Sequence, residues 1–512
     1  MLGRIPPNVL FIAVDDLRPI GGAYGSPQVK TPHLDALAHR GLRFERAYCQ
    51  QAVCSPSRTS LLTGRRPDTT RVYDLQTHFR LHLPEVVTLP QLFKQHDYHS
   101  QGLGKIFHVG LDDPQSWSVP HWLPAAKLYS SPAIRAALEA EAIRRGGAPP
   151  GAAPVLRRDP KTGTVLKVGN PKIKVRGPSW EAPDVPDEAL QDGETATRAI
   201  ATLRAVKDRP FFLAVGFLKP HLPFVAPKLY YDLYPPETIK LADNPFVPTD
   251  APALALTDFS ELRRYSDLPH GDEPVPDEKA RELVRGYYAA TSYTDAQIGR
   301  VLAELDRLGL RDNTIVVVWG DHGWQLGEHG LWCKHTNFEV AARAPLILSV
   351  PGRTDAGAET SALVEFVDLY PTLAELAGLP LPAGLEGTSL VPLLAKPDRP
   401  WKQAAFSQYP REDGRVMGYS LRTDRHRYTE WIEVSSGKAL ERELYDHAVD
   451  PAENANLARR PENLALAAAL SRRLHAGWRA ALPPPAPAPA TSRPANDGPG
   501  APPPARNGLR AR

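Results

Sequence analysis

Four apolar runs in this chain each lead into side chains that can do chemistry. Asn8–Val14 ends at Asp15-Asp16, Ser100–Ile106 leads to Lys105 and His108, Pro210–Phe217 to Lys219 and His221, and Thr314–Trp319 to Asp321-His322. A further group, Cys54, stands two residues before Pro56 and four before Arg58, ahead of an apolar helical stretch. Proline suits the first turn of a helix, where its missing N–H is no loss. The spacing therefore sets the thiol at a helix N-terminus, where free N–H groups and the dipole favour negative charge. Each feature alone has a plain reading: a strand-end aspartate caps the next element, and a reduced cysteine can simply start a helix. Together they describe a pocket. Three carboxylates in one cleft repel unless something positive lies between them, so Asp15, Asp16 and Asp321 point to a hard divalent cation with oxygen ligands. Arg58, Lys105, Lys334 and two histidines oppose them, a cationic set suited to a sulfate or phosphate ester. Arginine can grip an anionic oxygen pair bidentately, and lysines act as point charges.

The elements that must position these groups are short strands buried on both faces, of the kind found in parallel sheets. Helices are expected at Thr31–Gly41 (Thr31 as N-cap, Pro32 first, Gly41 as stop), Leu89–Lys94, Ala133–Arg145, Glu194–Val206, Asp277–Leu308 and from Tyr370 to Gly378. Leu346–Val350 and Leu363–Val367 are further strand candidates. Helices alternating with buried strands predict an α/β fold, a large mostly parallel sheet flanked by helices, with ligands beyond the carboxyl ends of the strands. After Pro397 the pattern becomes antiparallel (Ala404–Gln408, Met417–Arg422, Arg427–Val434) with a closing helix over Leu457–Ala480, a smaller C-terminal α+β subdomain. The predicted organisation is a catalytic domain over 1–397 with a rim insertion at about 112–186, the subdomain over 398–482, and a disordered Pro/Ala-rich tail over 483–512.

With 512 residues, 23% charged and 42% apolar, the chain has the composition of a globular enzyme. A net charge of +3 argues neither for nor against nucleic acid, but no basic tract is interleaved with aromatics, so no nucleic-acid partner is expected. Three cysteines, Cys49, Cys54 and Cys333, cannot build a disulfide framework. No apolar stretch is long enough for a membrane span and no signal peptide is visible, so the chain as written reads as soluble and cytoplasmic. A misassigned start would make it periplasmic or secreted. The sequence is silent on oligomeric state.

Cys54-Ser55-Pro56-Ser57-Arg58 followed by Leu62-Thr63-Gly64-Arg65 resembles the signature of the type I sulfatases, in the alkaline-phosphatase-like superfamily. The resemblance extends over most of Asn8 to about Ala458 and is to the iduronate-2-sulfatase-like branch. It is carried by Val14–Pro19, Gln50–Asp74, Gly104–His108, Phe212–Phe224, Asp321–Gly330, Lys334–Phe338, Ser407–Arg411 and Met417–Ser420. It implies that a maturation enzyme oxidises Cys54 to formylglycine (3-oxoalanine). Asp15, Asp16, Asp321, His322 and the modified Cys54 would surround one calcium ion, magnesium being the second choice. Many sulfatases carry asparagine where this chain has His322, and an imidazole is a poorer calcium ligand than an amide oxygen.

By the same resemblance, Arg58 and Lys105 stabilise the hydrated aldehyde, His108 acts on its hydroxyl as a base, and His221 and Lys334 hold the sulfate and help protonate the leaving alcohol. Trp324 and His335 lie where substrate contacts are expected, and Lys219 and His329 where loop support is. One hydroxyl of the hydrate would attack sulfur, and the second would then expel sulfate. The expected substrate is a sulfate ester, of a sulfated sugar above all. Two rivals remain open at this level: a phosphonate monoester or phosphodiester hydrolase of the same superfamily, and a sulfated-glycan-binding protein in which Cys54 is never oxidised.

Overall fold

Every residue of strand β1 (Asn8–Val14) is buried, and its alternating side chains feed two separate cores. Leu10, Ile12 and Val14 enter one, and Val9, Phe11 and Ala13 the other. That division requires a sheet covered on both faces, as the unbroken apolar run predicts. The computed structural model describes residues 6–145, 155–158, 165–169, 175–269, 271 and 273–484. Parts of the expected rim insertion, and the expected tail beyond residue 484, lie outside the described residues.

The other strands of the main sheet are β2 (Leu42–Tyr48), β3 (His99–Gly104), β4 (Phe211–Phe217), β5 (Thr314–Gly320), β6 (Leu346–Ser349) and β7 (Ala358–Glu365). Their order is β7-β2-β6-β5-β1-β4-β3. All neighbours pair parallel except β6, which runs antiparallel to both β2 and β5. The helices are α1 (Pro32–Arg40), α2 (Cys54–Thr63), α3 (Leu89–Gln95), α4 (Pro132–Arg144), α5 (Gln191–Val206), α6 (Asp277–Arg307), α7 (Leu369–Leu376) and α8 (Leu464–Ala476). Residues from α1, α5 and α6 fill the core on one face, and residues from α2, α3 and α7 that on the other. Each fully buried large aliphatic or aromatic side chain contributes about 1.5–3 kcal/mol.

After the main sheet, β8 (Ala405–Arg411), β9 (Val416–Arg422), β10 (His426–Glu433) and β11 (Ala439–Asp446) form an antiparallel sheet in sequential order, packed on α8. It is joined to the main body by buried polar contacts: Lys402, just before β8, pairs with Glu365 (2.8 Å) and Asp368 (2.6 Å), and the Phe406 N–H on β8 donates to Glu365 (2.9 Å). No described helix is long and apolar enough to cross a membrane.

Several expectations change in detail. Strands β2 and β11 were not anticipated. The closing helix is shorter than expected, because Pro461 opens a 3₁₀ turn before it and Gly477 ends it. Thr31 occupies the N-cap position of α1, but its hydroxyl bonds to Asp35 (3.1 Å). The free N–H groups are capped from α6 instead: Asp295 accepts from His33 (3.1 Å) and Leu34 (2.7 Å).

Candidate active site

Because β1, β3, β4 and β5 run in the same direction, the residues that follow them emerge along one edge of the sheet. The ladder continues one residue past the strands. The Asp15 N–H donates to Phe217 (3.1 Å), that of Asp321 to Val14 (3.3 Å), and that of Lys105 to Gly216 (2.9 Å). These bonds fix the backbone beneath three of the polar side chains. Gly216 is required there, since a Cβ would lie 2.1 Å from the Lys105 carbonyl oxygen. Asp16 then turns into the left-handed region (φ 62°), one of the few side chains that tolerates it. Its N–H donates to Asp321 Oδ1 (2.9 Å), and its carbonyl accepts from the Tyr287 hydroxyl (2.7 Å).

Cys54 opens α2, whose ten residues are all buried, and Gly64 closes that helix in the left-handed conformation (φ 65°). Ser57 Oγ on the first turn donates to the Asp321 carbonyl, which fastens the start of α2 to the end of β5. Arg58, fully buried, crosses the floor of the site. Its Nη2 pairs with Asp15 (2.9 Å), its Nε with Asp321 (2.8 Å), and its Nη1 donates to the carbonyls of Lys105 (2.6 Å) and Ile106 (3.0 Å). Lys105 Nζ pairs with the other oxygen of Asp15. Burial works against a charged Asp15, but Lys105 and Arg58 outweigh it and hold the carboxyl well below the usual range.

Asp16 is in the opposite state. Burial, only partly offset by Lys334 and reinforced by Asp15, Glu261 and Asp321, pushes its carboxyl well above the ordinary value. Lys334 Nζ lies 3.0 Å from Asp16 and 3.0 Å from Glu261, over the ring of Trp324 at 4.9 Å. Cys54 Sγ is 3.4 Å from His322 Nε2 and 3.8 Å from Asp16 Oδ1. Burial foremost, then the Asp15 charge, keeps the thiol protonated, the wrong setting for a thiolate nucleophile.

The donor set fits a divalent cation. Asp15, Asp16, Cys54 and His221 each offer a ligand atom within 4.8 Å of the others, as do Cys54, Asp321 and His322. His322 Nδ1 is 2.9 Å from the Gly323 carbonyl, so that nitrogen carries the proton and Nε2 presents its lone pair to Asp16 (3.3 Å) and Asp321 (3.6 Å). Four carboxylates (Asp15, Asp16, Asp321, Glu261) face three fixed cations (Arg58, Lys105, Lys334). With one divalent ion bound, all four carboxylates, Asp16 included, would ionise and the cluster would be net positive by one, as an anionic ester requires.

His221 lies 3.3 Å from Glu261 and 3.9 Å from Asp16 through Nε2, while its Nδ1 faces the Leu222 carbonyl at 2.5 Å. Its loop is locked from below by Lys219, whose Nζ donates to the carbonyls of His221 (2.7 Å) and Pro223 (2.6 Å). Asp192 accepts the N–H groups of Leu218 and Lys219 at 2.8 Å each. His108 is lowered to about 3 by burial and then by Lys105, so it is a neutral imidazole, and its buried Nδ1 has no hydrogen-bond partner among the described residues.

The sequence-predicted residues Asp15, Asp16, Cys54, Arg58, Lys105, His221, Asp321, His322 and Lys334 thus form one contact network. His335 joins it through Glu261 (3.8 Å). Trp324 lies beneath the site instead of at the expected substrate-contact position. It is 1% exposed, packed against Tyr287 and Phe224, and supports Lys334 from beneath. His329 bonds away from the cluster to the carbonyl of Ala452 (2.7 Å). Sequence reasoning missed Glu261, which sits on the one-turn helix Ser260–Arg263 in a stretch without hydrophobic periodicity. Its carboxylate nonetheless joins Lys334, His221 and His335, which overcome burial and keep it charged.

Comparisons with known proteins agree with this geometry. A family model described as Sulfatase matches residues 7–379, and one described as N-sulphoglucosamine sulphohydrolase, C-terminal, matches residues 327–479. Iduronate 2-sulfatase of Mus musculus is 38% identical over 530 aligned residues, covering 88% of this chain and 90% of that protein. A solved structure in complex with its substrate D-glucosamine-2-N,6-O-disulfate superposes with a TM-score of 0.68 at 23% identity, covering 92% of this chain and 99% of that one. The phosphonate monoester hydrolase of Agrobacterium radiobacter superposes with a TM-score of 0.69 at 24% identity, covering 93% and 95%. At those identities the two structures speak for the fold alone. The length and identity of the sequence matches go further: the chain belongs to the sulfatase family and is a sulfuric ester hydrolase.

Proposed function

We propose that this chain removes a sulfate ester from the 2-position of a uronate-bearing sugar, using a formylglycine made from Cys54 and a bound calcium ion. The sulfatase family implies a metal and a formylglycine in general. The substrate is taken from the iduronate 2-sulfatase relative. The observation that carries the chemistry is the convergence on Cys54 of buried carboxylates from three strand-end residues with three fixed cations around them. Asp15, Asp16, Asp321, His322 and residue 54 would hold the cation. Bound there, it would supply positive charge to the nucleophile and to the sulfuryl oxygens. Formylglycine supplies a hydrated aldehyde, one hydroxyl for attack on sulfur and a second whose collapse releases sulfate. A separate maturation enzyme must install it.

The chain's own residues do the rest. Arg58 and Lys105 keep Asp15 ionised and hold the floor rigid beneath residue 54. His108 is an unprotonated imidazole beside that floor and serves as the base. Lys334 neutralises sulfate oxygens. Lys334 also gives the leaving alcohol its proton, because His221, whose Nδ1 proton is committed to the Leu222 carbonyl and which burial keeps neutral, has none to give at Nε2. His335 lines the substrate side. Matured enzyme should hydrolyse a uronate 2-sulfate faster than a glucosamine 6-sulfate or an aryl phosphonate, and Cys54→Ser should fold yet lose nearly all turnover. Preferential hydrolysis of the phosphonate would move the assignment to the phosphonate esterases. Full activity in Cys54→Ser would remove the formylglycine from the mechanism, and a Cys54 peptide that stays a thiol in competent cells would leave only a glycan-binding role.

A further inference from the structure

Beside the sulfate site lies a guanidinium with no anionic partner. Arg411, the last residue of β8, is half-buried and makes no ion pair with any described carboxylate. Three of its five N–H donors are taken by backbone carbonyls: Nε by Leu254 (2.9 Å), Nη1 by Pro410 (3.2 Å) and Nη2 by His335 (2.7 Å). Its plane is held over the Tyr409 ring at 4.8 Å and the Trp431 ring at 5.2 Å. Trp431 can lie there because its cross-strand partner is Gly418, where a Cβ would come within 2.5 Å of the indole. Two carboxylates lie nearby and neither pairs with it: Glu443 accepts from Trp431 Nε1 and the Tyr445 hydroxyl at 2.7 Å each, and Asp258 accepts from the Ser260 N–H (3.1 Å). The architecture thus orients a cation, partly withdraws it from water, and leaves two N–H donors free.

Its position relative to the chemistry is fixed twice over. The Gln408 N–H on the same strand donates to the Gln50 carbonyl (2.8 Å), and that of His335 donates to the Ala52 carbonyl (3.2 Å), both just upstream of Cys54. Arg411 in turn holds the His335 carbonyl, next in sequence to Lys334. An unpaired, pre-oriented guanidinium is costly unless a ligand completes it, and a planar fork of N–H groups matches a carboxylate.

We infer that Arg411 is a specificity-determining residue that receives the carboxylate of the sugar whose sulfate is held at residue 54. The inference rests on the uronate reading above. It deepens that reading by assigning the second anionic group of the substrate to a residue of the C-terminal sheet, so that substrate is gripped between the two sheets.

The test compares kcat/KM for a 2-sulfated uronide and for its carboxylate methyl ester, with matured, calcium-loaded wild type and Arg411→Gln and Arg411→Lys. Loss of a charge-assisted bidentate contact is expected to be a ~10–100-fold effect. Wild type should prefer the free acid by that factor. Arg411→Gln, which keeps two N–H donors but no charge, should lose the preference, so that it hydrolyses the free acid and the methyl ester at the same rate. Arg411→Lys should retain part of it. If Arg411→Gln slows both substrates alike, or keeps the full preference, Arg411 only braces the His335 loop and the inference is overturned. A wild-type enzyme indifferent to esterification overturns the uronate reading itself, and the inference with it.

Discussion

Replacing Glu261 by glutamine removes one negative charge without removing volume, at a residue whose only evident task is to hold cations. Lys334 Nζ sits 3.1 Å and 3.0 Å from the two Glu261 oxygens, and His221 Nε2 sits 3.3 Å from one of them. A hydrogen bond to a charged group contributes about 1.5–3 kcal/mol and a neutral one about 0.5–1.5 kcal/mol, so the change at Lys334 weakens its anchorage by about 1–1.5 kcal/mol. Lys334 keeps Asp16, so it swings toward that carboxylate and is no longer held between two anchors. If Lys334 must lie across the sulfate in the transition state, the same quantity appears in the barrier, and kcat falls ~5–13-fold with KM changed far less. Glu261→Asp keeps the charge but withdraws it by one methylene and should fall between the two. Steady-state kinetics on an aryl sulfate, with urea unfolding to confirm that each variant is folded, reads the effect. A kcat within twofold of wild type in folded Glu261→Gln would refute the positioning role.

Other consequences are simpler to read. Lys402→Met leaves Glu365 and Asp368 buried with only Arg66 beside them, and breaking such a pair costs about 3–5 kcal/mol, measurable as a lower urea midpoint. Asp295 links stability to pH: burial pushes its carboxyl up to about 7, despite the N–H groups it accepts, so the native state holds a proton that the unfolded chain releases near pH 4. Its contribution is complete below about pH 4 and lost as pH rises through about 7. Asp295→Asn should therefore flatten the difference in stability between those limits, and an unchanged profile would contradict the assignment. Removing divalent cations with a chelator should abolish turnover and lower the unfolding midpoint, and calcium should restore both. At a hundredfold excess over its dissociation constant the ion would add about 2.7 kcal/mol.

The parts of the fold that were legible in the sequence are those whose local pattern and burial agree. Asn8–Val14 and Thr314–Gly320 are buried on both faces, and their apolar runs say so. Strand β2 was hidden because Arg43, Glu45 and Arg46 interrupt its apolar residues, and apart from the Arg43–Glu45 pair their ionic partners Glu359, Arg343 and Asp424 lie far along the chain. Strand β11 carries Glu441, Arg442 and Glu443 in a row, which breaks the apolar alternation expected of a strand. The start of β7 escaped notice because the register shifts between Thr360 and Leu363, which breaks the alternation. In the site, every group delivered by a strand end or by the Cys54 motif could be named in advance. Glu261 and Arg411 could not, since each acquires its role from partners more than seventy residues away that local pattern does not encode. The cap on α1 is the same case: a threonine sits where a cap belongs, and an aspartate from another helix does the capping.

In the proposed mechanism Cys54 acts only after conversion to formylglycine. The most direct test of that requirement is the specific activity of several preparations, made with differing amounts of maturation enzyme, set against the converted fraction of the Cys54 peptide measured by mass spectrometry. Activity should rise in proportion to the aldehyde fraction and extrapolate to zero for the pure thiol. Undiminished activity in a preparation whose residue 54 is entirely thiol would contradict the account.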